Sequence, residues 1–69
     1  MAAKTLRQAI LEELERQEAT GPEEAVDVMA VRQSLGALEH NFEAALEELT
    51  RMERVGFVAG QIYSRRTMA

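Results

Sequence analysis

Partway through the stretch NFEAALEELTRMERVGFVAGQIYSRR, residues 41–66, the hydrophobic period changes. In a chain of 69 residues that change constrains the fold more than any other feature. Up to residue 52 the apolar side chains recur at helical spacing, with Phe42, Ala45, Leu46, Leu49 and Met52 on one face. After Gly56 the period drops to two, and Phe57, Val58, Ile62 and Tyr63 flank Gly60. The pattern predicts a helix over about 42–54, capped by Asn41 and stopped by Gly56. A tight hairpin over about 57–64 follows, where Gly60 can take the positive φ that such turns require. Residues 65–69 are expected to fray.

The first half of the chain reads as two more helices. Thr5 and Gln8 fit a capping box, and Leu6, Ala9, Ile10 and Leu14 recur at helical spacing behind them. Gly21 and Pro22 end that pattern, so helix one is expected over about 5–19 with Glu12, Glu13, Glu15 and Glu18 outward. Residues 22–27 read two ways. In one, Ala25 and Val26 form a very short strand and Asp27 caps a helix over about 28–35. In the other, Pro22 takes the first position of a longer helix over 22–35. The shorter helix is preferred, and Gly36 stops it in either case. Helix three is then expected to pack on helix one, with Phe42, Leu46 and Leu49 meeting Leu6, Ile10 and Leu14.

So short a chain forms one domain, residues 1–69, and buries only about 60% of its unfolded surface. It has no cysteine, so no disulfide or thiolate site can reinforce the core, and homodimerisation is a natural remedy. No apolar run approaches the ~18 residues of a membrane span, and the first ten residues lack an apolar signal region. The expectation is a soluble cytoplasmic protein. The net charge is −4, and all 12 carboxylates lie within residues 12–54. Lys4, Arg7, Arg65 and Arg66 lie outside that acidic middle. A generic polyanion binder is usually basic overall, so this balance weighs against one.

The element order, helix, short extended segment, helix, turn, helix, hairpin, resembles the winged helix-turn-helix superfamily over about residues 5–66. VMAVRQSLG looks like the first helix of the pair, NFEAALEELTRMERVGFV is similar to a recognition helix entering the first wing strand, and FVAGQIYSRR looks like a short wing. The resemblance implies a mainly α fold with a small β-hairpin. The competing architecture is a three-helix bundle with an irregular C-terminal tail. The resemblance also implies that Asn41 through Arg54 face duplex DNA, with Asn41, Arg51 and Arg54 nearest the bases. Arg65 and Arg66 at a wing tip, and Lys4, would then hold phosphates.

The residues themselves temper that implication. The outward face of helix three carries Glu43, Ala44, Glu47, Arg51 and Arg54, with Glu48 at its flank. Clustered carboxylates repel phosphate, and Glu47 is placed to neutralise Arg51 one turn later. Arg32 reads as solvated, His40 as a turn residue, Met29 and Met52 as core filler, and Tyr63 as packed rather than stacked on a base. A single histidine without cysteine offers no transition-metal site. Ser34 and Ser64 have no neighbouring histidine, and no phosphate-binding glycine loop is present, so neither catalysis nor a cofactor is expected. The reading drawn from the resemblance is a small DNA-binding regulator, dimeric or partnered. The reading drawn from charge is a protein-interaction module whose Glu43, Glu47 and Glu48 dock a basic partner. An acidic decoy that mimics DNA is a third.

Overall fold

A computed structural model describes residues 4–65. The elements are α1 (Leu6–Arg16), a 3-10 turn (Pro22–Glu24), β1 (Val26–Asp27), α2 (Val28–Leu35), α3 (Glu39–Arg51), β2 (Val55–Val58) and β3 (Gln61–Ser64). Three helices thus pack with one three-stranded antiparallel sheet of order β1-β3-β2. The C-terminal segment is an ordered hairpin, which corrects the bundle with an irregular tail.

The helix boundaries follow from local chemistry, though not always from the signals expected. Thr5 caps α1 by accepting from the Gln8 amide at 3.1 Å, but the Gln8 side chain turns to Glu12 instead of closing the capping box. The helix ends at Arg16, short of the expected residue 19, because Glu18 enters the left-handed region at φ 57. Ala19 N–H then donates to Leu14 O at 2.8 Å, a Schellman closure that drives Ala19 into the core. Gly21 and Pro22 act downstream of that stop and shape the 3-10 turn. The α2 helix matches its expected bounds, with Asp27 accepting from the Met29 amide at 3.2 Å and Gly36 left-handed at φ 64.

Helix α3 begins at Glu39, three residues before the expected start, so Asn41 lies within its first turn and is not the cap. Leu38 takes the cap position with extended backbone, and Phe42 N–H donates to Leu38 O at 2.8 Å. No side chain caps this end; Glu39 in the first turn complements the helix dipole there. At the other end Glu53 is left-handed at φ 60, and Arg54 N–H closes onto Leu49 O. Gly56 is therefore not the stop but a buried member of β2, and the strand starts two residues earlier than expected, at Val55. Its Cα carries no side chain because Tyr63, its cross-strand partner, lays its ring over that position.

The hairpin register is Val55↔Ser64, Gly56↔Tyr63, Phe57↔Ile62 and Val58↔Gln61. The turn is Ala59–Gly60, both with positive φ, at 48 and 81, as a two-residue type I′ turn requires. The short extended segment before α2 is a true strand: Val26 pairs with Ile62 on the other edge of β3. The core gathers Ile10, Leu14, Ala19, Val31, Phe42, Leu46, Leu49, Val55 and Ile62, with Leu6 partly buried against it. The expected packing of α3 on α1 is present. Met29 and Met52 are not core filler, being 49% and 52% exposed. His40 is exposed in the first turn of α3 rather than in a connecting turn.

Candidate interaction surface

Two consequences of the fold define the surface of α3. Its inner residues Phe42, Leu46 and Leu49 are consumed by the core, which leaves Glu39, Glu43 and Glu47 as a row one turn apart. Phe57 shares a sheet face with Ile62 and Val55, but it sits on the edge strand near the turn and stays 50% exposed. Between α2, α3 and Phe57 lies an open groove of about 590 Å³. Val28, Met29, Phe42, Leu46 and Phe57 give it an apolar lining. The carboxylate row forms the α3 rim. Arg51 and Thr50 close one end, and Arg32 stands on the α2 wall.

The cations of the sequence are largely spoken for. Lys4 pairs with Glu12 at 2.5 Å, Arg7 pairs with Glu48 across the α1–α3 contact, and Arg51 pairs with Glu47 at 3.5 Å. Glu48 is therefore a half-buried tie between helices, separate from the carboxylate row. Arg32 donates from Nη1 to Ala37 O at 3.5 Å, while its Nε is buried without an acceptor. Arg54 and Arg65 form no ion pair among the described residues, and Arg65 N–H donates to Arg54 O at 2.8 Å. That bond places Arg65 at the open end of the hairpin, opposite the Ala59–Gly60 turn. The expected wing-tip arginine is thus corrected: a two-residue turn leaves no room for it, and the tip carries no charged residue. Arg66 lies outside the described residues. Asn41 is exposed on α3 but takes no part in lining the groove.

A second polar cluster lies between α1 and α2. The buried Glu13 carboxylate accepts from Arg16, from Gln17 at 2.5 Å and from the Ser34 hydroxyl at 3.3 Å. The hydrogen bond from Arg16 holds its pKa below the ordinary carboxylate range, aided by Gln17 and Ser34 and opposed by burial. Glu13 raises the Arg16 pKa in return. This is a structural tie: Ser34 anchors α2 to α1.

Among the described residues no group of three or more His, Cys, Asp or Glu side chains gathers in a way that would hold a metal ion, and no helix is long and apolar enough to cross a membrane. No family model, curated protein or solved structure matches the chain. Sequence reading located Glu43 and Glu47 but missed Glu39, Met29 and Phe57 as members of one surface. The signal for Glu39 was present in the i, i+4 spacing of Glu39, Glu43 and Glu47, hidden by starting the helix at residue 42.

Proposed function

We propose that this chain is a winged-helix protein-interaction domain that captures a basic partner on the face of α3. The arrangement of helices, third strand and hairpin supports the winged-helix assignment: α2 and α3 form the helix pair and β2–β3 the wing. The observation that carries the function is the row Glu39, Glu43 and Glu47 along an open apolar groove, on the face where a DNA reader needs cations. Neither Glu39 nor Glu43 forms an ion pair among the described residues, so both retain their full attraction for a cationic ligand. A phosphate backbone brought to this face would meet repulsion. Lys4 and Arg7 offer little to offset it, since each is already held by a carboxylate.

One observation favours the DNA reading. Arg54 and Arg65 lie side by side without carboxylate partners and form a small unneutralised basic spot at the open end of the hairpin. The two readings separate in an NMR titration of the chain at roughly 50 mM salt, against a mixed-sequence duplex of about 20 base pairs and against oligolysine. Oligolysine should move the Glu39 and Glu43 amides and lose its grip as salt rises. The duplex should leave the spectrum unchanged at tens of micromolar, a concentration within the ~10⁻⁴–10⁻⁶ M range over which non-specific DNA binders engage duplex. Saturable shifts at Arg54 and Arg65 on adding duplex, with none from oligolysine, would overturn the proposal in favour of DNA.

A further inference from the structure

Taking α3 as a capture surface, we infer that the groove between α2, α3 and Phe57 holds a basic amphipathic helix. The inference therefore rests on the proposed function, and it names the shape and chemistry of the occupant. Length comes first. The groove is lined at Glu39, Glu43 and Glu47 and at Phe42, Leu46 and Thr50, that is, along about three turns of α3 or roughly 17 Å. A guest helix of about eleven residues spans that distance and lays three or four apolar side chains along it.

The lining brings together Met29 from α2 and Phe57 from β2, each about half exposed, with Phe42 and Leu46 of α3. Half-exposed large apolar side chains beside a concave surface are the usual anchors of a hydrophobic contact. Along the α3 rim, Glu39 and Glu43 face any guest without internal cations, while Glu47 is shared with Arg51. The guest face turned toward α3 is therefore basic. The rim cation on α2, Arg32, leans toward Ala37 O and leaves that wall mainly apolar.

The other peptide mode, strand addition, lacks a template. The free edge of the sheet nearest the groove is β2. Because Val58 and Gln61 flank a two-residue turn, they form the hydrogen-bonded pair, and Val55 and Phe57 direct their N–H and C=O groups away from β3. Val55 is only 1% exposed, so a guest strand would find outward backbone groups within β2 at Phe57 alone. One residue does not make a ladder.

The test uses the whole chain and three synthetic, amidated peptides of about fourteen residues. The first carries leucine at i, i+4, i+7 and i+11 with lysine elsewhere. The second has the same composition with leucines clustered on alternate positions, the strand period. The third repeats the first with glutamate in place of lysine. The first should bind at least about tenfold more tightly than either control and shift the Met29 methyl and Phe57 ring resonances. Met29→Ser and Phe57→Ser should each weaken it about tenfold or more; both side chains stand outside the core, so the fold persists. Equal or tighter binding of the strand-period or glutamate peptide overturns the inference. So do shifts confined to residues away from the groove. If Met29 and Phe57 shift on raising protein concentration alone, with a dimer in sedimentation, the occupant is a second copy and the inference fails. If oligolysine moves Glu39 and Glu43 but the helical peptide leaves Met29 and Phe57 untouched, the helix-in-groove inference falls and the acidic capture surface stands. If neither ligand binds, both fall.

Discussion

Glu13 shows how one residue ties stability to pH. Its folded pKa lies below its unfolded value, so the charged form stabilises the fold. That contribution is complete above the ordinary carboxylate range and is lost as pH falls through the lowered folded value. Denaturant melts between about pH 7 and pH 3 should therefore show stability falling on the acid side, and falling less steeply in Glu13→Gln. Parallel acid limbs in the two proteins would show that Glu13 is not a linked group. Glu53 makes a different residue-scale statement. At φ 60 it pays the left-handed strain of a side chain that is exposed and outside the hydrophobic core. Glu53→Gly removes that strain of about 1–2 kcal/mol and adds roughly 0.5–1 kcal/mol of unfolded-state freedom, for a net gain of about 0.5–1 kcal/mol. A thermal melt unchanged or lowered would contradict this. Both closures were hidden in the sequence, because glutamate is no signal for a helix stop and the nearby glycines drew the boundary downstream.

At the scale of elements, the hairpin rests on the pairing of Gly56 with Tyr63. A methyl group at Gly56 would occupy space that the ring now fills, so Gly56→Ala should cost about 1–3 kcal/mol. In a Tyr63→Ala background the same change should cost much less, which a double-mutant cycle measures. An undiminished cost would mean that the glycine is needed for another reason. Elements marked by chemistry at both ends were legible: Asp27 and Gly36 bracket α2 without help from the rest of the chain. Where the deciding force was tertiary, legibility stopped. The α3 start moved past Asn41 to Leu38 with Phe42 buried in the core one turn later. The place of Arg65 depended on a strand register that a two-residue turn sets. The groove depended on which sheet face meets α3, and only that register puts Phe57 at its border.

For the whole molecule, the core was legible and the surface was only half so. The helical stripes of α1 and α3 named Ile10, Leu14, Phe42, Leu46 and Leu49 directly, and all five are buried. A domain of this size holds only about 3–10 kcal/mol, so Leu46→Ala, at a cost of roughly 2–5 kcal/mol, should bring it close to unfolding at room temperature. A melt barely altered from wild type would show that Leu46 is not structural. The charge map was legible as composition, but the pairing of Lys4, Arg7 and Arg51 with carboxylates needed the fold. On the proposed reading, that pairing is what leaves Glu39 and Glu43 as the unneutralised charges along the α3 rim of the groove. The most direct test of that claim compares two double variants in one binding assay at roughly 50 mM salt. Glu39→Gln with Glu43→Gln should abolish most of the affinity for oligolysine, while Arg54→Ala with Arg65→Ala should leave it unchanged or raise it slightly. The contrary result, oligolysine binding indifferent to the glutamates and duplex DNA binding lost with the arginines, would show that this domain meets its ligand through the open end of its hairpin and not through the face of α3.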